Sequence, residues 1–320
     1  MREIRELNGW RAVSILLVLA AHLLPLGPKS LQLNETAGIT GMALFFVLSG
    51  FLITCFLLND HNLKKFIIRR CARIIPLAWL YLLIVFLIIP AAIATIAGHF
   101  FFYANLIPNL TDVASHFWSL CVEMQFYLWI ALSVYFFKNR AFYLIPIACL
   151  AVTFNSVYNG VLVNIQTQYR VDEILAGCIL ALIYNKEYGT SVVNIIKKIN
   201  PLIVLPLVIF SSMPQSDWFN FFRPYLAALL VGTTIINSEW KLNALLKNRV
   251  FDYLATISFA LYVIHGGLRH TWLGQGETIE KYIKRPILFA LTFWLAHIST
   301  YKFELPINNW ARKFGSNKQR

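Results

Sequence analysis

The sequence predicts an all-α fold, a polytopic membrane bundle of about ten transmembrane helices with both termini in the cytoplasm. Three observations support this: the ratio of apolar to charged residues, the apolar runs, and the placement of lysine and arginine. Of the 320 residues, 58% are hydrophobic and 13% are charged, whereas a soluble globular chain is about half apolar and about one quarter charged. These proportions exclude a cytosolic globular enzyme, a collagen and a disulfide-rich secreted domain.

Apolar runs that could cross a bilayer recur along the whole chain. A spanning helix needs about 20 mostly apolar residues, and several central candidates are shorter than that. No repeat or low-complexity linker divides the chain, so one integral-membrane domain is predicted over residues 1–320, with no appended soluble domain. The candidate spans are 8–26, 39–58, 74–96, 115–137, 141–156, 171–185, 200–213, 222–237, 254–272 and 286–302.

The positive charges predict the orientation of the bundle. If the N-terminus is cytoplasmic and the spans alternate, 21 of the 28 lysines and arginines fall in cytoplasmic segments, as the positive-inside rule requires. The net charge of +13 is then explained without a nucleic-acid partner. The expected location is the cell (cytoplasmic) membrane, with membrane lipid as a partner. The five cysteines include no C-x-x-C pair, so they predict buried apolar side chains and no metal site.

The first span carries two ionisable residues, Arg11 and His22. They interrupt or end the apolar run, so an uncleaved first span is favoured over a cleaved signal peptide. Eleven residues are close to three helical turns, so both lie on one face, about 16 Å apart along the axis. An ionisable group in hydrocarbon costs about 2.5–3.5 kcal/mol on insertion scales, so each is a candidate for a functional role. The alternatives are an interfacial anchor for Arg11 and an interfacial histidine for His22.

A basic cluster precedes the third span. Arg69, Arg70 and Arg73 lie in the second cytoplasmic connection, and Arg70 and Arg73 share a face if the helix begins before them. An arginine pair suits phosphate or carboxylate. The alternatives are ordinary positive-inside charge and binding of anionic lipid.

The fourth span carries a polar stripe. Ser119, Glu123 and Tyr127 recur at intervals of four residues, which puts them on one helix face. A buried carboxylate needs a partner, and a histidine on a facing helix, such as His22, is a natural one. The alternative is a polar contact that only holds two helices together.

Two further polar groups are candidates for a pocket. Arg170, Asp172 and Glu173 open the sixth span; pairing among themselves is favoured over binding of a polar acceptor, and Asp172 is kept as a candidate. His265 ends the ninth span on its outer side, after Tyr262 at helical spacing, and is either structural or part of the same outer pocket as His22.

These residues fit a donor whose phosphates are held at the cytoplasmic face and whose reactive end meets a base near the outer face. Histidine suits general-base chemistry on a hydroxyl because its pKa is close to operating pH, and Glu123 could orient the imidazole. The usual motifs of NTPases, dinucleotide-binding enzymes, serine hydrolases and zinc proteases do not occur.

Six motifs in the same order resemble the acyltransferase family 3 of integral membrane O-acyltransferases, over nearly the whole chain. Two departures are that Asn8 and Trp10 replace a usual Asp and Leu, and that Cys121 and Met124 replace a usual Ser and a second Glu. Glu123 is thus the only carboxylate in its motif. The motifs occupy residues 7–12 with His22, 41–53, 69–76, 116–128, 257–265 and 301–306.

The resemblance implies about ten spans and transfer of an acyl group, usually acetyl, from acyl-coenzyme A to a hydroxyl of an extracytoplasmic glycan or lipid-linked glycan. It implies His22 as catalytic base and donor binding by Arg11, Arg70 and Arg73, with Arg69 beside them; Glu123 joins His22 as a candidate catalytic residue. Ser119, Tyr127, Tyr262, His265 and Asp172 are candidates for the substrate pocket. No permanently bound cofactor is expected, because acyl-coenzyme A is a substrate.

Two other functions remain open from the sequence. Intramembrane ionisable residues and ten spans also suit a transporter or flippase, although no inverted repeat is visible. A non-catalytic subunit of a polysaccharide export complex is the other alternative, and polysaccharide-assembly proteins are possible partners in either case.

Overall fold

The computed structural model describes residues 4–60, 62–108 and 110–314, without the side chains of Thr278 and Phe314, and these residues form helices joined by loops, with no strand. The predicted all-α class is therefore confirmed. Three of the 21 lysines and arginines predicted to be cytoplasmic lie outside the described residues: Arg2, Lys318 and Arg320. The α-helices are α1 Arg5–Leu23, α2 Leu33–Asn59, α3 Leu63–Ile88, α4 Ile93–Phe100, α5 Trp118–Phe137, α6 Ala141–Tyr158, α7 Thr167–Arg170, α8 Asp172–Tyr184, α9 Thr190–Lys198, α10 Pro201–Ser211, α11 Arg223–Ile236, α12 Leu242–Leu246, α13 Arg249–Arg269, α14 Thr278–Ile298 and α15 Leu305–Phe314.

Fewer helices than predicted have both the length and the apolar character of a candidate membrane span. Within the described residues, five helical stretches qualify, and α9 with α10 adds a sixth if this pair, bent by 89°, counts as one span. The predicted count of about ten is not confirmed, because α8 has only 13 residues and α14 carries charges in its first two turns. The five are Lys29–Asn59, Leu63–Ile88, Asp112–Tyr158, Pro214–Ile236 and Arg249–Arg269. The cytoplasmic placement of both termini stays a prediction.

The third predicted span, 74–96, has different bounds in the structure. The Asn62 side chain caps α3 by accepting a hydrogen bond from the Lys65 backbone N–H at 3.0 Å, so the helix begins eleven residues early. It ends at Ile88, shortly before Pro90. A proline lacks the backbone N–H and disfavours a helical conformation in the residue before it, and the chain resumes as the separate helix α4.

The chain folds as two compact units, Met1–Asp60 with Leu132–Thr256 and His61–Ala131 with Ile257–Arg320. We call them the first unit and the second unit. The prediction of a single integral-membrane domain is untested and stays a prediction.

In the first unit, α2 is the central helix and packs against α1, α8 and α11. Its contact with α8 is close, because a Cβ added at Gly177 would lie 2.0 Å from the Val47 carbonyl oxygen. Small residues allow such backbone approach between helices in membranes. The start of α1 is held by polar contacts, including Lys247 Nζ to Glu6 Oε1 at 2.9 Å and Trp10 Nε1 to Thr234 Oγ1 at 2.8 Å.

In the second unit, α3 packs against α4 and α15. A π-helical stretch, Ser299–Glu304, joins α14 to α15 and also packs on α3. The Tyr81 hydroxyl of α3 donates to the Val113 carbonyl at 2.7 Å, which ties α3 to the segment that leads into α5. Short π-helical stretches often occur at functional sites, and this one carries Glu304.

Candidate active site

The arginines predicted to bind the donor lie inside α3, not in a connection. Because α3 begins at Leu63, Arg69, Arg70 and Arg73 occupy its second and third turns, and the condition for Arg70 and Arg73 to share a face is met. The Arg70 guanidinium lies 5.7 Å from the centroid of the Tyr127 ring and 5.9 Å from that of Phe66. Both are within cation–π distance, so α3 meets the polar stripe of α5 at Tyr127.

The stripe on α5 is confirmed as a shared face. The Tyr127 hydroxyl donates to Glu123 Oε1 at 2.5 Å, and both side chains are buried. A buried carboxylate without a donor would be strongly disfavoured, so Tyr127 stabilises Glu123 within its own helix. Arg70, Tyr127 and Glu123 thus form a continuous series from the predicted donor-binding arginines to the predicted catalytic carboxylate.

One turn earlier on α5, Ser119 meets the end of α13. Its Oγ lies 2.5 Å from the Tyr262 hydroxyl oxygen, and the Tyr262 hydroxyl also donates to the carbonyl of His116. The His116 ring lies 4.8 Å from the His265 ring between centroids. All four side chains are buried. The structure thus brings together three predicted pocket residues, Ser119, Tyr262 and His265, with His116, which was not predicted. We call these four residues the histidine cluster.

In the histidine cluster, hydrogen bonds to carbonyl oxygens show which nitrogen of each ring carries a hydrogen. A carbonyl oxygen only accepts, so His265 Nδ1–H donates to the Tyr262 carbonyl at 2.6 Å, and His116 Nε2–H donates to the Val263 carbonyl at 3.2 Å. In neutral rings the other nitrogens, Nε2 of His265 and Nδ1 of His116, carry lone pairs. The cluster can therefore accept protons as well as orient hydroxyl groups.

His116 was missed by the sequence reasoning, although it begins the motif that contains Ser119. Its importance depends on a contact with residues about 146 positions away, which no local pattern reveals. Gly266 makes room for it: a Cβ added there would lie 2.2 Å from His116 Cε1 and 2.5 Å from Nδ1.

Replacing Gly266 with alanine is therefore expected to lower the free energy of unfolding by about 1–3 kcal/mol, the usual effect of overpacking. Thermal unfolding of the purified protein in detergent measures this. Gly38→Ala is the matched control, because its added Cβ would meet only Ala21 Cβ at 3.4 Å; inside α2 it should be neutral or stabilising by up to about 1 kcal/mol. A Gly266→Ala protein as stable as the wild type would contradict the described packing of His116.

Glu304 is a second residue to which the sequence reasoning gave no role. It is buried, and its Oε1 accepts from the hydroxyls of Thr300 at 3.2 Å and Ser299 at 3.3 Å. Burial raises the pKa of the Glu304 carboxyl, while the hydrogen bonds and the positive charge of Arg73 act in the opposite direction. The π-helical stretch therefore brings a carboxylate into the electrostatic field of one predicted donor-binding arginine.

The predicted pairing between Arg170 and a neighbouring acid at the start of α8 is confirmed, and the group of ion-paired residues also includes an arginine of α11. Arg170 Nε lies 3.4 Å from Glu173 Oε2, and Arg223 on α11 approaches Glu173 Oε1 at 2.7 Å. The Glu173 backbone N–H donates to Asp172 Oδ1 at 2.9 Å. We call Arg170, Asp172, Glu173 and Arg223 the charge tetrad; it is buried within the first unit.

The remaining candidates, Arg11 and His22, lie on α1 of the first unit and are both partly exposed. His22 is in the last turn of the helix, one residue before its end. Their roles as donor-binding residue and catalytic base stay predictions. Within the described ranges, no group of three histidine, cysteine, aspartate or glutamate side chains is placed to hold a metal ion.

Comparison with known proteins gives a family and several relatives. A family model described as an acyltransferase domain matches residues 4–310. The chain is 27% identical to the peptidoglycan O-acetyltransferase OatA of Listeria monocytogenes, over 96% of this chain and 56% of that protein. It is 28% identical to the putative peptidoglycan O-acetyltransferase YrhL of Bacillus subtilis, over 82% of this chain and 48% of that protein.

A putative O-acetyltransferase of Staphylococcus aureus is 25% identical, over 96% of this chain and 57% of that protein. The chain therefore spans about half the length of the curated relatives that it matches. No solved structure matches it.

Proposed function

The chain belongs to the acyltransferase domain family, and from this premise we propose that it is a multi-pass membrane O-acyltransferase that moves an acetyl group from cytoplasmic acyl-coenzyme A to a hydroxyl of an extracytoplasmic glycan. The names of its relatives suggest peptidoglycan, or a lipid-linked glycan of the same envelope, as the acceptor. The membrane would then be the cytoplasmic membrane.

The observation that best supports this proposal is the series Arg70, Tyr127 and Glu123. Arginines bind phosphate well because the planar guanidinium offers several donors, and coenzyme A carries phosphates. The ring of Tyr127 lies beside the Arg70 guanidinium, and its hydroxyl donates to Glu123. A donor anchored at Arg70 and Arg73 would therefore lie next to a buried polar path along α5.

In the proposed reaction, the acceptor hydroxyl oxygen attacks the thioester carbonyl carbon and the C–S bond breaks. His22 accepts the hydroxyl proton as general base, and the proton then passes to the departing coenzyme A thiolate. Glu123 is proposed as a second catalytic residue, because a carboxylate favours positive charge that develops near it. Ser119, Tyr262 and His265 are proposed to position the acceptor, because they present hydroxyl and imidazole groups in one buried cluster.

The proposal is tested by supplying radiolabelled acetyl-coenzyme A to inside-out membrane vesicles that contain the protein and an envelope glycan. Label in base-labile ester on lumenal glycan, present with the protein and absent from empty vesicles, is the expected result. Transport of unlabelled glycan without any ester formation, across a series of acyl donors, would reject acyl transfer in favour of a transporter.

Arg73→Ala is expected to raise the KM for acetyl-coenzyme A by about tenfold with a smaller change in kcat, because a lost charged hydrogen bond to bound donor weakens binding by roughly 1.5–3 kcal/mol. The donor titration is made in the same vesicles. Arg140→Ala, at an exposed position in the short connection between α5 and α6, is the matched control. An unchanged KM with a reduced kcat would assign Arg73 to the transition state instead.

A further inference from the structure

An apolar groove runs along the membrane-spanning part of the second unit. It has a volume of about 610 Å³ and lies between α3, the end of α13 and the end of α14 with the π-helical stretch. Binding pockets for small molecules usually measure about 300–1,000 Å³ and are mainly apolar. Leu80 and Ile84 of α3 line the groove and are also exposed, so it opens onto the side of a candidate span, where lipid is the surrounding solvent.

On α14 lies a buried cation for which the described residues provide no anionic partner. The Arg285 side chain is 6% exposed, and its Nε and one Nη have no hydrogen-bond partner among the described residues. Its guanidinium lies 5.8 Å from the centroid of the Tyr282 ring. Burying an unpaired charge is strongly unfavourable. We therefore expect Arg285 to bind an anion that is not part of the chain.

Arg285 interacts electrostatically with an arginine at the end of the groove. Its charged neighbour is Arg269, which is exposed and lies in sequence between Leu268 and His270, two residues that line the groove. Like charges side by side repel, and neither arginine forms an ion pair with another described residue. This pair of guanidinium groups therefore has an uncompensated charge of about +2.

A second contact attaches the start of α14 to the same segment. Lys284 Nζ donates to the Trp272 carbonyl at 2.9 Å and lies 5.0 Å from the ring centroid of Trp272. Trp272 follows Thr271, which also lines the groove. Lys284 is neutralised by Glu280 at 2.5 Å, so it holds α14 in place while Arg269 and Arg285 supply the net charge.

We propose that this site binds a phosphate-bearing membrane lipid, with its phosphate at Arg269 and Arg285 and one hydrocarbon chain in the groove. Two matched features favour a lipid over a free anion: a cationic pair that suits phosphate and an adjoining apolar channel open to the bilayer. The inference does not rest on acyl transfer and would hold for a chain with any activity.

The test uses the purified full chain in detergent, titrated with phosphatidylglycerol and followed by native mass spectrometry. Arg285→Gln and Arg269→Gln are each expected to weaken binding by about tenfold, since a charged hydrogen bond contributes roughly 1.5–3 kcal/mol. Ile84→Trp fills the groove from its exposed edge and should weaken binding similarly while the arginines stay intact. Arg140→Gln, exposed on the connection between α5 and α6, should bind as the wild type does.

Two further ligands separate the contribution of the phosphate to binding from that of the hydrocarbon chains. Diacylglycerol has the chains without the phosphate and should bind at least about tenfold more weakly than phosphatidylglycerol. Inorganic phosphate has the anion without the chains and should not displace the lipid at equal concentration. The proposal is overturned if Arg285→Gln and Ile84→Trp both bind phosphatidylglycerol as tightly as the wild type. It is equally overturned if diacylglycerol binds as well as phosphatidylglycerol, or if inorganic phosphate competes on equal terms.

Discussion

Replacing His22 with alanine is expected to lower acyl transfer by about 100- to 10,000-fold, the range that a general base usually contributes. The loss should be in kcat, because the imidazole acts on the acceptor proton during the chemical step and not on the donor phosphates. Insertion and folding should be unaffected: His22 is partly exposed in the last turn of α1, and alanine is a better helix former than histidine.

The measurement is ester-linked label in inside-out vesicles, normalised to the amount of protein in the membrane. His297→Ala is the matched control, because His297 is an exposed histidine on α14 whose ring lies against that of Tyr301. It should retain the wild-type rate. A His22→Ala protein with full activity would remove His22 from the mechanism, and the imidazoles of the histidine cluster would then be the next bases to examine.

Removing Glu173 is expected to have the largest effect on stability. Glu173 is fully buried and lies between two arginines, with Arg223 Nε at 2.7 Å and Arg170 Nε at 3.4 Å. In Glu173→Ala, two buried guanidinium groups would lose the carboxylate that lies between them. Breaking a buried ion pair by removing one partner costs about 3–5 kcal/mol, so Glu173→Ala should greatly reduce the yield of folded protein or its unfolding temperature.

Thermal unfolding in detergent measures this loss, and Glu187→Ala serves as the control because Glu187 is an exposed acid in the connection after α8. Surface substitutions usually change stability by less than about 0.5 kcal/mol. Glu173→Gln keeps the shape and one oxygen acceptor for Arg223, so it should be less harmful than alanine. A Glu173→Ala protein that unfolds with the wild type would show that the charge tetrad does not stabilise the first unit.

Several features of the site could be predicted because they depend on spacing within one helix. Glu123 and Tyr127 are four residues apart, and the hydrogen bond between them follows from the helical period. Arg170 and Glu173 are three residues apart and pair for the same reason. The apolar runs predicted helices close to the observed ones at α6, α8, α10 and α11, since continuous apolar character is a local property.

Other predictions differ from the structure, or are not confirmed by it, where a few local residues outweigh the average hydropathy of a run. The third span is displaced because Asn62 caps the helix early and Pro90 prevents its continuation. The count of ten spans is not confirmed because a run of 13 residues in α8 is buried among other helices and is too short to cross a bilayer alone. Hydropathy alone does not distinguish such a buried helix from a spanning one.

The helical membrane class, the family, and the faces on which the polar residues lie can be read from the amino-acid sequence, because composition, motif order and helical periodicity are local properties of the chain. The long-range hydrogen-bond and ion-pair partners of these residues depend on the tertiary structure. Ser119 meets Tyr262, 143 residues away, and Arg223 meets Glu173, 50 residues away. Such pairs form because a buried polar group must find a donor or acceptor wherever the packing of apolar faces brings one, and that packing is a property of the whole fold.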